Sequence, residues 1–174
     1  EAINYNINIS FSLLDLAKKA GIRDYIFLGS ETEISPRDNF SDYFNQSFNP
    51  YSVSKTMGFF LFCSYAKLND LNMKYIKIPN VYGEGQFQEN LWPSLKKAAL
   101  SGNNYKIINK NMIRNFISVK KISKIIAENL ISNNANDNEL DIISVEGQKM
   151  KVGEFAIGQW KKWQAKGKLI FQEK

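Results

Sequence analysis

A short apolar run, a long helix and a second strand pattern follow one another in this chain, and that order constrains its fold more than any other feature. The first run is Tyr-Ile-Phe-Leu at residues 25–28, and residues 74–79 form the second strand pattern. A helix is predicted over residues 51–68, and another over residues 8–20 that stops at Gly21. Strands that alternate with helices are typical of a parallel sheet, so the sequence predicts an α/β fold.

Polar residues follow both predicted strands. Gly29 and Ser30 end the first strand, Asn80 follows the second, and Tyr51 and Lys55 open the helix between them. The carboxyl ends of parallel strands meet at one edge of a sheet, and ligands bind there. We therefore expect Ser30, the Tyr51/Lys55 pair and Asn80 to converge at that edge.

Tyr51 and Lys55 are four residues apart, so a helix places their side chains on one face. A free phenol titrates near about 10, and a neighbouring ammonium favours the phenolate. The pair could therefore transfer a proton at neutral pH. On spacing alone, a surface pair beside a core helix is the more common arrangement. The convergence of Ser30 and Asn80 on the same edge favours the catalytic interpretation.

The composition excludes several other kinds of site. The chain has no histidine and a single cysteine, Cys63, so an internal disulfide and a cysteine zinc site are excluded. The same counts argue against a histidine triad and against metal catalysis, and no metal site is predicted. Cys63 lies in the apolar helix, where we expect a small buried side chain rather than a reactive thiol.

Charge and hydropathy patterning narrow the possible partners. The net charge of +6 could indicate nucleic acid, but the basic residues are spread along the chain, which favours a solvated surface and no nucleic-acid partner. No apolar run reaches the roughly 18 residues of a membrane helix. The first residues lack the build of a signal peptide. We expect no membrane contact and a cytoplasmic location.

The two halves of the chain differ in pattern. Residues 1–80 carry the strand–helix–strand pattern, and residues 81–174 read as a smaller mixed lobe, with a returning strand at 140–145. In the second half we predict helices over 91–100, 122–131 and 155–163, and strands at 106–108 and 116–119. Ile122, Ile125, Ile126 and Leu130 are predicted as a core face. The helix at 51–68 is apolar around most of its circumference, which fits either a deep core or contact with a second protomer.

Six segments, taken in this order, resemble one protein family. They are Asn6 with residues 12–21, then residues 27–30, 50–55, 79–86, 90–91 and 114–119. Residues 50–55 read Pro-Tyr-Ser-Val-Ser-Lys, and residues 79–86 read Pro-Asn-Val-Tyr-Gly-Glu-Gly-Gln. The set resembles the extended short-chain dehydrogenase/reductase group, in particular its nucleotide-sugar epimerase/dehydratase family. The resemblance implies the C-terminal part of a Rossmann-like parallel sheet plus a smaller substrate-binding lobe, with residues 1–80 as the second half of the dinucleotide-binding domain.

The resemblance also implies roles for particular residues. Ser30 and Tyr51 would hydrogen-bond the reacting sugar oxygen, with Tyr51 as general acid or base. Lys55 would bind the nicotinamide ribose of NAD or NADP and lower the pKa of the phenol, and Asn6 would support the cofactor side. The nucleotide and its diphosphate would be bound by Asn80, Asn90, Leu91 and Arg114. The family's homodimers imply an interface through the helices near 8–20 and 51–68.

Two departures from the family pattern qualify the predicted activity. A glycine-rich phosphate loop does not precede the matching segments, so we expect the chain to correspond to a fragment whose activity alone is in doubt. The acidic pair that 4,6-dehydratases carry after their threonine is half present, as Glu31 followed by Thr32. This favours a 4-epimerase or 4-keto reductase of surface-polysaccharide synthesis. The alternative is a non-catalytic binding or scaffold protein that keeps the fold without the cofactor loop.

Overall fold

The computed structural model describes residues 3–33, 50–131 and 140–172. These residues divide into two compact units. Unit 1 comprises Glu1–Ile78 and Glu128–Val145, and unit 2 comprises Pro79–Ala127 and Glu146–Lys174. In the described part of the chain, no helix combines the length and the apolar composition needed to cross a bilayer.

Helices and strands alternate through most of the described chain. A π-helical stretch, Asn4–Ile9, leads directly into the first α-helix. In chain order the elements are α1 (Ser10–Lys19), β1 (Asp24–Ser30), α2 (Pro50–Leu68), β2 (Asn72–Ile78), β3 (Asn80–Tyr82), α3 (Leu91–Leu100), β4 (Tyr105–Ile108), β5 (Ile113–Ser118), α4 (Val119–Ile131), β6 (Leu140–Ser144), β7 (Gln148–Lys151), α5 (Val152–Lys162) and β8 (Leu169–Gln172).

Unit 1 contains a parallel sheet with the strand order β1-β2-β6. The register pairs Ser30 with Ile78, so β1 and β2 end at the same level. The strand predicted at 140–145 returns to this sheet and pairs in parallel with β2, Ile76 opposite Ile143. The predicted parallel α/β arrangement is confirmed.

Helix α2 covers this sheet with one of its faces. Proline suits its first position, because the ring presets the helical φ and the missing N–H would have no helical partner there. Phe59 and Phe62 are buried, and Phe62 stacks on Phe27 of β1 with ring centroids 4.3 Å apart. Met57 and Phe60 lie on the opposite, exposed side. Within this chain the core therefore covers only part of the helix.

Unit 2 contains two small sheets with their own core. Strands β3, β5 and β7 form one sheet, in which β3 and β5 are parallel and β5 and β7 antiparallel, and β4 pairs with β8 in the other. Helices α3 and α5 pack around a buried cluster. Its members are Leu95, Ala99, Ile107, Ala156 and Trp160.

Several details differ from the sequence-based predictions. The Asn- and Gly-containing sequence of residues 80–86 predicts a loop, but residues 80–82 form β3, because they pair with residues 116–118, a partner far along the chain that a local pattern does not reveal. Strands β7 and β8 have no counterpart among the predicted elements. Leu130 was predicted in the core face of α4 but is 65% exposed, whereas Ile122 is buried.

The polar sequence of residues 31–50 predicts a long loop. Most of that segment, residues 34–49, lies outside the described residues.

Helix α3 offers a matched test of the unit 2 core. Leu95 is 0% exposed and Leu100 is 67% exposed. Leu95→Ala should lower the free energy of unfolding by about 2–5 kcal/mol, because it removes buried methyl groups and leaves a cavity. Leu100→Ala should change it by less than about 1 kcal/mol. Urea denaturation of both variants measures the difference, and equal losses would contradict this packing.

Candidate active site

Ser30 lies at the carboxyl end of β1, where the chain turns sharply. The Glu31 N–H donates to the carbonyl oxygen of Ile78 at 3.0 Å, which extends the strand pairing past Ser30. The Ser30 Oγ lies 2.9 Å from the Thr32 Oγ1 and accepts the Thr32 N–H at 3.2 Å. The hydroxyl predicted to contact substrate is therefore set in a hydrogen-bonded turn at the edge of the sheet.

Tyr51 and Lys55 lie on one side of α2, as the spacing predicts. The Lys55 Nζ is 5.9 Å from the centroid of the Tyr51 ring. It also donates to the carbonyl oxygen of Leu28, two residues before Ser30, at 3.4 Å. The ammonium thus links the phenol-bearing turn of α2 to the last residues of β1.

Asn6 supports the start of α2 through Ser54. The Asn6 Nδ2 donates to the Ser54 Oγ at 2.9 Å, and the Ser54 hydroxyl donates to the Tyr51 carbonyl at 2.8 Å. Ser54 is completely buried. The structure therefore ties Asn6 to the backbone of Tyr51, a positioning contact that the sequence did not predict.

A buried carboxylate lies directly behind Ser30. The Glu33 Oε1 accepts the Ser30 N–H at 2.7 Å and the Tyr75 hydroxyl at 2.9 Å. The other oxygen, Oε2, is 3.8 Å from the Lys77 Nζ. Glu33 was not among the residues that the sequence predicted for the site, and this network was therefore not expected. Its signal was an acidic residue in a turn beside a buried strand, which is weak without the fold.

Burial and the attraction between the two charges have opposite effects on the pKa values of Glu33 and Lys55. Burial raises the pKa of the Glu33 carboxyl, while the Ser30 N–H, Tyr75, Lys77 and Lys55 oppose that rise. Burial lowers the pKa of the Lys55 ammonium, and the negative charge of Glu33 partly restores it. Each charge therefore favours the ionised form of the other.

Gly29 makes room for this network. A Cβ at this position would lie 2.3 Å from the Tyr75 Cε1 and 2.7 Å from the Glu33 Oε1, well inside van der Waals contact. A side chain larger than hydrogen would therefore force the phenol and the carboxylate apart. The glycine before Ser30 has a steric role, which explains its type at that position.

The half-buried Cys63 lies in α2, as predicted. Burial raises the pKa of its thiol to about 11, and the nearby Glu33 charge adds to the rise. A thiol with such a pKa is almost entirely protonated at neutral pH and is a poor nucleophile.

Unit 2 holds the other predicted site residues. The Asn80 Nδ2 donates to the carbonyl oxygen of Asn115 at 3.3 Å, next to Arg114. Arg114 is exposed on β5 and pairs across the strands with Met150. Asn80 and Arg114 are therefore brought to neighbouring positions of one sheet.

A cavity of about 290 Å³ opens on this sheet of unit 2. Phe155 forms its aromatic wall, stacking on Phe116 at 4.0 Å and meeting Tyr82 edge to face at 4.9 Å. Met150, the cross-strand partner of Arg114, also lines it. The complete lining is Tyr82, Phe116, Gln148, Met150, Glu154, Phe155, Gly158 and Gln159. The cavity could not be predicted from local sequence patterns, because residues from four separate elements form it.

Asn90 and Leu91 mark the start of α3. Asn90 has extended backbone geometry as the N-cap, and its carbonyl accepts the Ser94 N–H at 3.1 Å and the Ser94 hydroxyl at 2.7 Å. Leu91 is the first helical residue. Their backbone geometry is fixed by the helix, and their predicted contact with a nucleotide stays a prediction.

Comparison with known proteins identifies related families and folds. A model of the NAD dependent epimerase/dehydratase family matches residues 1–145. No curated protein matches the chain significantly. The family match confirms the resemblance that the six sequence segments indicated.

Solved structures share the fold at low sequence identity. A UDP-N-acetylglucosamine 4-epimerase from Methanobrevibacter ruminantium, in complex with UDP-N-acetylmuramic acid, is 22% identical over 98% of this chain and 56% of that chain, with a TM-score of 0.75. The Thermus thermophilus UDP-glucose 4-epimerase complex with NAD is 16% identical over 97% of this chain and 57% of that chain, with a TM-score of 0.74. An epimerase from Methanothermobacter thermautotrophicus is 16% identical over 99% of this chain and 53% of that chain, with a TM-score of 0.80. The predicted Rossmann-like α/β fold is confirmed, and the chain spans about half the length of these structures.

Replacement of glycine by alanine should have opposite effects on the free energy of unfolding at Gly29 and at Gly158. Gly29→Ala should lower the free energy of unfolding by about 1–3 kcal/mol, because the new methyl group displaces Tyr75 and Glu33. Gly158→Ala, in an open position of α5, should raise it by roughly 0.5–1 kcal/mol through helix propensity. Thermal or urea unfolding checks both, and a Gly29→Ala variant as stable as the parent would contradict the tight contact.

Proposed function

Because this chain belongs to the NAD-dependent epimerase/dehydratase family, we propose that the intact protein is an NAD(P)-dependent enzyme acting on a nucleotide-activated sugar. The proposed reaction is 4-epimerisation or reduction of a 4-keto sugar. The observation that carries the proposal is the position of the Lys55 ammonium. It lies 5.9 Å from the Tyr51 ring centroid and also reaches the end of β1 beside Ser30.

Tyr51 is the proposed acid or base. It takes the proton of the sugar hydroxyl as that carbon is oxidised, or returns a proton to the ketone oxygen as it is reduced. The positive charge of Lys55 stabilises negative charge on the phenolic oxygen during either transfer. Ser30 Oγ contributes a hydrogen bond to the same sugar oxygen. Positioned acid–base catalysis of this kind contributes about a hundredfold to ten-thousandfold in rate.

The donors in unit 1 fit the nicotinamide end of a dinucleotide. Lys55 offers an ammonium to ribose hydroxyls, and Asn6 fixes the turn of α2 that carries Tyr51. A bound NAD or NADP supplies or accepts the hydride. The chain's own residues orient the sugar, move the proton and restrict water at the buried base of the site.

The nucleotide part of the substrate is assigned to unit 2. Arg114 is exposed beside the aromatic cavity and provides a guanidinium suited to bidentate binding of a diphosphate. The aromatic walls of the cavity suit a flat base. Asn80, Asn90 and the Leu91 backbone are the remaining proposed contacts. Solved structures of this fold with UDP-sugars, including a Thermotoga maritima UDP-glucose 4-epimerase with UDP-glucose, support a nucleotide-sugar as the substrate class.

The turn after Ser30 favours C4 redox chemistry over dehydration. Dehydration needs an additional acid and base beside the reacting hydroxyl. In this turn Thr32 forms a hydrogen bond with Ser30, and the Glu33 carboxylate is buried and accepts the Ser30 N–H, so only Glu31 of the three residues is both acidic and exposed.

We also propose that the protein acts in the cytoplasm, in the synthesis of surface polysaccharide.

Replacement of the phenol tests the acid–base role. In the intact protein, Tyr51→Phe should lower turnover by about a thousandfold while nucleotide-sugar affinity changes little. With UDP-, dTDP-, GDP- and CDP-hexoses, turnover is followed by chromatographic separation of the epimers, since epimerisation has no net cofactor change, and with the 4-keto sugars by cofactor absorbance. Affinity is measured by calorimetry. Tyr65→Phe is the matched control, since it removes a phenol of the same helix whose hydroxyl donates to Asp15.

Two outcomes contradict parts of this proposal. Unchanged turnover in Tyr51→Phe would overturn the acid–base role of Tyr51. Nucleotide-sugar binding without turnover in the unsubstituted protein would favour the non-catalytic binding or scaffold alternative.

A homodimer through α1 and α2 is also proposed. Leu13 and Leu16 of α1 and Met57 and Phe60 of α2 are all exposed, a set of apolar side chains that a second copy would cover.

Two matched variants test the dimer. Leu16→Glu should convert dimer to monomer, whereas Leu100→Glu, on an equally exposed leucine of α3, should not (61% and 67% exposed). Sedimentation velocity measures the state. A parent protein that sediments as a monomer would contradict the interface.

A further inference from the structure

We propose that Glu33 is a positioning residue of the acid–base site, holding Ser30 through its backbone and placing a buried negative charge at the end of β1, the same stretch that the Lys55 ammonium reaches. The inference rests on the proposed function, because it assigns Glu33 to the same site. It goes further in naming a group that contacts neither substrate nor cofactor but controls two groups that do.

Glu33 forms hydrogen bonds with both backbone polar groups of Ser30, the N–H and the carbonyl. Its Oε1 accepts the Ser30 N–H at 2.7 Å, and its own N–H donates to the Ser30 carbonyl at 3.1 Å. A residue held at donor and acceptor has little freedom to rotate its backbone, so the Ser30 side chain leaves the strand in one direction. Misplacement of a substrate-contacting group by about 1 Å can cost on the order of a hundredfold in rate.

The Glu33 carboxylate is buried, and groups of β2 and α2 interact with it. The Tyr75 hydroxyl donates to Oε1 at 2.9 Å, and the Lys77 Nζ approaches Oε2 at 3.8 Å from the same strand. Lys55 and Cys63 face it from α2, where the positive charge of Lys55 attracts it and its own charge disfavours the Cys63 thiolate. Oε2 is fully buried and has no hydrogen-bond partner among the described residues.

A buried carboxylate oxygen that has an ion pair at 3.8 Å but no hydrogen bond among the described residues is costly, and an apolar side chain of similar size would fill the space without that cost. Gly29 shows that the neighbouring backbone is fitted to the carboxylate, because any Cβ there would collide with Glu33 and Tyr75. A charge kept buried at such a cost is best explained by what it does to its neighbours.

Lys55 is the neighbour that responds to the charge. Burial lowers the pKa of its ammonium, and Glu33 is the group that raises it again. Without Glu33 the pKa of Lys55 falls further, so the ammonium loses its proton at a lower pH than in the parent protein. The turnover of the proposed reaction would then decline at a lower pH than in the parent protein.

The test measures the charge state of Lys55 without relying on turnover. The intact protein is labelled with trace acetic anhydride across a pH series, and the acetylated fraction of Lys55 is read by mass spectrometry. Glu33→Gln removes the charge and keeps the size. Glu33→Met, apolar and of similar length, serves if the glutamine variant does not fold. Either should shift the labelling midpoint of Lys55 to lower pH.

Two further variants isolate the two effects of Glu33. Tyr75→Phe removes a hydrogen bond but keeps the charge, so the labelling midpoint of Lys55 should stay where it is in the parent. Glu33→Asp keeps the charge but shortens the reach to the Ser30 N–H, so it should keep the midpoint while kcat falls by about tenfold or more.

The outcomes separate this proposal from the proposed function. A Lys55 midpoint in the folded Gln or Met variant equal to that of the parent overturns the role of Glu33. A shift of equal size in Tyr75→Phe also overturns it. Absence of turnover in the unsubstituted protein would overturn the enzymatic function but would leave the labelling result to stand on its own.

Discussion

The parallel pairing of β1 with β2 is the constraint on which the unit 1 site depends. It sets Ser30 opposite Ile78, so the turn after Ser30 begins at the edge of the sheet. It also sets Gly29 beside Lys77 in the register, in a region where Tyr75 can reach the Glu33 carboxylate. A slip of one residue would reverse the side chains of β1 to the other face and separate Ser30 from Lys55.

The first turn of helix α2, which carries Tyr51 and Lys55, is held at that edge by hydrogen bonds from two directions. Ser54 bonds back to Tyr51 and receives Asn6, and Lys55 reaches across to Leu28 of β1. The buried side of the helix stacks aromatic rings against the sheet, which holds the polar first turn in place. The Lys55 ammonium is therefore placed at the end of β1 by its hydrogen bond to Leu28 and by the packing of the helix that carries it.

Local patterns in the sequence were sufficient to predict the long helices and strands and the placement of Tyr51 and Lys55 on one side of α2. The unbroken apolar run at 25–28, the Tyr51/Lys55 spacing and the 91–100 helix predicted real features, because each depends on neighbouring residues. What failed was non-local: β3 exists only through its pairing with β5, and the buried role of Glu33 depends on Tyr75 and Lys77 of the next strand. Leu130 was assigned to a core face by periodicity, but packing against α4 does not extend to its last turn.

In the proposed reaction a hydride passes between a nicotinamide cofactor and a nucleotide-activated sugar while Tyr51 transfers the proton. The most direct measurement is cofactor reduction in the intact protein, mixed rapidly with a hexose nucleotide carrying deuterium at C4 and followed by absorbance. The account predicts a transient reduced cofactor that forms more slowly with the deuterated sugar and is nearly lost in Tyr51→Phe. Absence of cofactor reduction with every hexose nucleotide tested, in a protein that binds both ligands, would contradict it.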